Sequence, residues 1–154
     1  MAQLAAATKF PNGTDTKMNF FSCGPMNTIA VSSIELFDRN GLAMYPIRLE
    51  DLATVKLKSY NNGNMIEKDK VNVEVYAYME NDGTWTFNID GCKMAHNCPL
   101  TKGDLELTLP LNLYKYAILF KFIDKTLAHQ FIIKLYDAGS RQEVSCEIIQ
   151  FNLV

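Results

Sequence analysis

The chain has 154 residues, 48% of them hydrophobic and 21% charged, with eight Gly and five Pro. That length is near the commonest single-domain size and the composition is that of an ordinary globular domain, which excludes collagen-like, disordered and low-complexity classes. Fifteen Lys and Arg against seventeen Asp and Glu leave a formal charge of -2, so the broad basic field that nucleic acid requires is missing.

Residues 1–10 lack a basic start followed by a sustained apolar run, and do not read as an intact secretory signal. Residues 1–17 show no strand alternation, so 1–19 is expected to be a flexible extension ahead of one domain at 20–154. It carries Asn12-Gly13-Thr14, a glycosylation acceptor at Asn12. With an even set of four cysteines, this sequon points to an oxidising, secreted or lumenal setting.

Period-2 alternation dominates the remainder of the chain. Runs at 29–37, 52–60, 71–79, 84–89, 105–113, 131–137 and 144–154 give about seven strands. In 71–79, Val71, Val73, Val75, Ala77 and Met79 share one face. In 105–113, five leucines do so, and Pro110 places that strand at an edge or a bulge. Turn signals at 38–41, 61–63, 80–83 and 137–140 suit hairpins. No βαβ rhythm, heptad or repeat is present, which predicts an all-β antiparallel sandwich. Residues 113–127 read as strand by aromatic content and as helix by length. Lys115, Lys121 and Lys125 among Tyr114, Tyr116, Ile118, Leu119, Phe120, Phe122 and Ile123 make a composition suited to a membrane interface.

Chemical motifs are scarce. Cys92 and Cys98 bracket His96, but a structural zinc site needs four ligands, and a fourth would have to come from distant His129 or a carboxylate. A short disulfide-closed loop, flanked by the turn formers Gly91 and Pro99, is the simpler reading. No nucleophile elbow and no phosphate-binding glycine loop occurs, and the carboxylates are scattered over polar positions. The expectation is a protein that is not an enzyme and uses no cofactor or metal, with His96 and His129 as polar surface residues.

The cysteine framework reads Phe20-Phe-Ser-Cys-Gly24, Asp90-Gly-Cys92, Asn97-Cys-Pro-Leu-Thr-Lys-Gly103 and a lone Cys146 in the last strand. This ordered set, over residues 20 to 154, resembles the ML lipid-recognition domain family, which includes the Niemann-Pick type C cholesterol-transfer protein, the ganglioside activator and phospholipid-transfer relatives. The resemblance implies an immunoglobulin-like sandwich with a lipid pocket between its sheets, and disulfides pairing Cys23 with Cys146 and Cys92 with Cys98. The further cysteine pair of the cholesterol-transfer branch has no counterpart between residues 36 and 46.

The function so implied is a secreted, or endosomal or lysosomal lumenal, protein that binds and transfers a sterol, fatty acid, phospholipid or glycolipid. Its candidate lining comprises Val55, Leu57, Val73, Val75, Trp85, Phe87, Leu107, Leu109, Phe120, Phe131, Ile133 and Ile148. Residues 113–127 are expected to form the mouth and to touch membranes. The alternative is a secreted immune or receptor-interaction module of the same fold, with a protein receptor as partner and no obligatory lipid transfer.

Overall fold

The computed structural model describes residues 13–24, 27–79, 83–90, 92, 98–110, 117–126 and 129–154, with the backbone alone at 77–79, 83–90, 109, 119 and 120. Eight strands form among them: β1 (Asn19–Ser22), β2 (Ile29–Asp38), β3 (Leu52–Asn61), β4 (Val71–Met79), β5 (Gly83–Asp90), β6 (Gly103–Pro110), β7 (His129–Asp137) and β8 (Gln142–Phe151). A 3-10 turn (Lys68–Lys70) precedes β4, and one helical turn (Ala117–Phe120) lies between β6 and β7.

The strands make two sheets, a five-stranded one in the order β1-β8-β7-β4-β5 and a three-stranded one in the order β2-β3-β6. All pairings are antiparallel. The all-β sandwich anticipated from the alternation is therefore present. Its additional strand, β1, is four residues long and too short to show a period; it is defined by its pairing with β8. β6 is an edge strand with Pro110 at its end, where a missing N–H costs no ladder bond. The turn signal at 61–63 makes no hairpin. It opens a crossover from β3 to β4 in the other sheet, anchored by buried Asn61, whose Nδ2 donates to the carbonyls of Asn64, Leu100 and Thr101 at 3.0, 3.3 and 3.3 Å.

Along one side the end of β1 and the approach to β2 are fastened to β8. Cys23 is bonded to Cys146 across 123 residues of chain, and the Cys23 N–H donates to the Cys146 carbonyl at 2.9 Å. Beside it, the Asn27 amide clasps the Cys146 backbone, donating to its carbonyl at 3.2 Å and accepting its N–H at 3.1 Å. Farther along, residues 152–154 pair with the β2–β3 connection, through Ile47 N–H to Asn152 O and Val154 N–H to Ile47 O, both at 3.0 Å. Cys92 and Cys98 form the second disulfide, in the β5–β6 connection. Both bridges match the pairing implied by the family resemblance.

Within the stretch 1–19, residues 13–19 are held in place. Thr14 is fully buried, the Tyr45 hydroxyl donates to its carbonyl, and Met18 packs against the core. Gly13 has φ +85°, a conformation that suits glycine, and its carbonyl accepts the N–H groups of Thr16 and Lys17 in a turn ahead of β1. Asn12 lies outside the described residues.

Loop-closure entropy makes the two bridges unequal. Replacing both Cys23 and Cys146 by Ala is expected to lower stability by about 4 to 5 kcal/mol, and replacing both Cys92 and Cys98 by about 2 kcal/mol. Urea unfolding of the two double variants checks the order; equal losses would contradict it.

Candidate functional site

Register and packing together define the face each sheet turns inward. In the three-stranded sheet the inner rows are Ile29–Asn61–Gly103, Val31–Ser59–Leu105, Ile34–Leu57–Leu107 and Leu36–Val55–Leu109. In the five-stranded sheet they are Phe20–Ile149–Phe131–Ala77–Trp85, Ser22–Glu147–Ile133–Val75–Phe87 and Ser145–Leu135–Val73–Ile89. Leu36, Met44, Ile47, Leu52, Ile149, Phe151 and Leu153 pack together at one end of the inter-sheet space. Ile29, Ile66, Val71, Leu100, Leu105 and Val144 pack together at the other.

Between these ends several described residues of the inner faces are only half-buried. Val31, Leu57 and Val75 point into the space between the sheets, belong to neither packed cluster, and are half-buried. Ile34, Val55, Leu107 and Ile133 border one cluster or the other and are half-buried too. Apolar side chains facing the middle of a sandwich would ordinarily be removed from water by the opposite sheet, at close-packed density. These half-buried apolar residues on facing strands are the candidate lining of a site between the sheets.

Of the residues proposed from sequence, Val55, Leu57, Val73, Val75, Leu107, Phe131 and Ile133 lie on these inner faces. Trp85, Phe87 and Leu109 occupy register positions opposite Ala77, Val75 and Val55, and Phe120 ends the helical turn; their side chains lie outside the described residues.

Ile148 is a correction of placement. It sits on the outer face of β8, paired with Phe21 and Ile132, in a small cluster with Cys146 against Cys23 and Tyr76. Ile149 takes the inward position. β8 is buried on both faces from Val144 to Ile149, so its alternation carries no sign, and a register irregularity opposite Leu135 and Tyr136 adds a residue to the count. Another irregularity between Val31 and Ser33 brings Ile34 onto the inner face with Val31, which strict alternation along β2 does not suggest.

Two buried ionisable groups stand at this interior. Glu147 projects inward from β8 and accepts hydrogen bonds from Ser22 Oγ at 3.1 Å and from the Val31 N–H of the opposing sheet. Burial pushes its carboxyl pKa up, against the pull of both bonds. His129, expected at the surface, is buried instead, stacked on Phe151 with ring centroids 5.9 Å apart. Its Nε2–H donates to the Asp124 carbonyl at 3.1 Å, which ties down the end of the segment carrying the helical turn. Burial holds its pKa below 6.5, partly offset by that bond and by the Asp124 carboxylate. Among the described residues, no three His, Cys, Asp or Glu side chains converge as metal ligands would.

A depressed His129 pKa means that the unfolded chain binds the proton more readily. The stability contributed by neutral His129 is present above pH 6.5 and is lost as pH falls through the depressed value. His129→Gln keeps a donor for the Asp124 carbonyl and removes the titration. The melting temperature of the unaltered protein should drop more than that of His129→Gln between pH 7.5 and about pH 5. Parallel drops would show that His129 contributes no such linkage.

No protein-family model matches the chain, and no curated protein matches it. Among solved structures it is similar to the crystal structure of chicken MD-1 complexed with lipid IVa, at 13% sequence identity over 88% of each chain, with a TM-score of 0.49.

Proposed function

We propose that this protein binds a lipid in the space between its two sheets and exchanges it with membranes, without performing chemistry on it. One observation carries the reading: Val31, Leu57 and Val75 face the middle of the sandwich, half-buried, between two packed ends. An acyl chain or sterol laid along them gains about 0.8 kcal/mol for each CH₂ it buries. A sterol, a fatty acid and an acyl chain of a phospholipid or glycolipid all have the apolar part this surface fits. The two disulfides support a secreted or lumenal setting.

Residues 113–127 serve in this reading as the mouth and the membrane contact. In support, Ile118 and Phe122 stand four apart on the helical turn and its continuation, 72% and 84% exposed, with Lys121 and Lys125 exposed beside them. Ile123 in the same segment packs back onto the core. Apolar side chains so placed enter a headgroup layer while the lysines meet anionic phosphates, at about 1 kcal/mol per cation near the surface.

Native mass spectrometry before and after organic extraction tests the reading. A lipid adduct is expected that extraction removes and incubation with vesicles restores. Leu57→Trp separates a hollow interior from a solid one: filling a hollow one should abolish the adduct with little change in melting, whereas overpacking a solid core costs about 1 to 3 kcal/mol. Absence of any adduct, together with a destabilised Leu57→Trp, would end the lipid-binding reading.

The membrane contact has its own test. Phe122→Asp should leave the melting temperature unchanged and slow transfer between anionic vesicles several-fold. Unchanged transfer would remove this segment from the mechanism.

A further inference from the structure

The three most exposed large apolar side chains among the described residues are Phe122, Ile118 and Leu42, at 84%, 72% and 64%. Two belong to the segment between β6 and β7, and the third to the connection between β2 and β3. A lone exposed leucine is ordinary on a protein surface, so what matters is where Leu42 sits relative to the other two.

A path of direct contacts joins the two connections. Ile47, in the β2–β3 connection, gives its N–H to the Asn152 carbonyl at 3.0 Å. The residue before Asn152, Phe151, pairs with His129 and stacks on its ring at 5.9 Å. His129 Nε2–H in turn reaches the Asp124 carbonyl at 3.1 Å, two residues beyond Phe122. Met44 and Ile47 of one connection and Ile123 of the other also pack in the same apolar cluster. Both connections therefore cap the same end of the sandwich.

Leu42 is presented there on a tight hairpin. The Asp38 N–H donates to the Leu42 carbonyl at 2.9 Å, the Leu42 N–H donates to Asp38 Oδ1 at 3.0 Å, and Gly41 between them takes φ +77°. A side chain on so short a closed turn loses little freedom when it enters a headgroup layer. Cations accompany it. Asp51 draws together Arg39, with Nη2 3.1 Å from Oδ1, and Arg48, with Nε 3.0 Å from Oδ2, and both arginine side chains are more than half exposed. One carboxylate between two arginines leaves a positive charge, and Asp51 meets Arg48 at Nε, away from the terminal amino groups that grip phosphate. Asp38 and Asp124 spend their carboxylates on backbone N–H groups of their own turns, those of Asn40 and Leu42 and that of Thr126, while Lys121 and Lys125 stay exposed.

We propose that the β2–β3 hairpin is a second membrane anchor, in which Leu42 enters the headgroup layer of an anionic bilayer beside Ile118 and Phe122 while Arg39 and Arg48 bind lipid phosphates. The inference rests on the membrane contact proposed for residues 113–127 and adds to it a second element and the headgroup chemistry it reads. Two anchors set the sandwich end-on to the bilayer, whereas a single segment leaves it free to swivel.

Co-sedimentation with sucrose-loaded vesicles is the test, using phosphatidylcholine alone and equal parts phosphatidylcholine and phosphatidylserine. On the anionic vesicles Leu42→Gln should weaken partitioning about tenfold and Arg48→Gln about fivefold, with melting temperatures unchanged because both side chains are mostly in water. On phosphatidylcholine alone, or at high salt, the loss from Arg48→Gln should shrink.

If Phe122→Asp weakens partitioning and neither Leu42→Gln nor Arg48→Gln does, the second anchor is refuted while the contact at 113–127 stands. If the unaltered protein ignores both kinds of vesicle, the membrane contact falls and the anchor with it. Self-association abolished by Leu42→Gln, read by sedimentation velocity, would then assign this end to a second copy of the chain.

Discussion

The fastening of β8 to the chain's beginning governs the rest of the architecture. The Cys23–Cys146 bond, the Asn27 amide on the Cys146 backbone and the Ser22 and Val31 bonds to Glu147 all converge on two consecutive residues of β8. The pairing of residues 152–154 with Ile47 continues that line to the end of the chain. The disulfide secures the end of β1 to β8 within the five-stranded sheet, while the Asn27 and Val31 hydrogen bonds and the pairing of Ile47 with residues 152–154 tie β2 and its connections to that sheet. In most sandwiches the separation of the sheets is set by interdigitating side chains alone.

Burial of polar groups is concentrated where this fastening occurs. A carboxylate at Glu147 would be costly in an apolar interior, yet it bridges a strand of one sheet to the backbone of the other, so its desolvation is partly offset by two directed bonds. Asn61 plays the same part at the far end, where its amide satisfies three carbonyls of segments that cross between the sheets. Ser59 differs from both. Its hydroxyl is buried in the sheet centre and, like Ser33 Oγ and Asn152 Oδ1, has no hydrogen-bond partner among the described residues.

Strand positions were largely legible because period-2 alternation is a direct consequence of half-burial: β3, β4 and β6 each turn one apolar face inward, and Val55, Leu57, Val73, Val75 and Leu107 could be placed from sequence. β8 could not be read so. With Cys146 and Ile148 buried outward and Ile149 and Phe151 buried inward, hydrophobicity along it is continuous and its phase undefined. The irregularity in β2 shifts the phase by one residue in mid-strand, a backbone event that no side-chain pattern records. His129 escaped for a related reason: its burial depends on Phe151 and on the carbonyl of Asp124, contacts made only in the folded chain. Ser59 and Glu147 read in sequence as ordinary polar strand residues, since alternation assigns a face and cannot reveal what polar group that face buries.

An interior divided into two packed clusters has an energetic consequence. Each cluster gains the usual stabilisation of close packing, and the half-buried residues between them, still partly in water, gain less. The disulfide over 123 residues stabilises the fold by lowering the entropy of the unfolded chain, independently of how the inner faces pack. A lipid seated between the clusters would take the half-buried residues out of water, so that it completes the core as much as it occupies a site. Folding and binding are then coupled by mass action, since a ligand held by the folded state and not by the unfolded one raises stability as the logarithm of its concentration over its dissociation constant. The affinity of such a site is limited from both directions: a lipid that closed the core too well could not leave, and one that closed it poorly would leave the sandwich at the lower stability its clusters and disulfides alone provide.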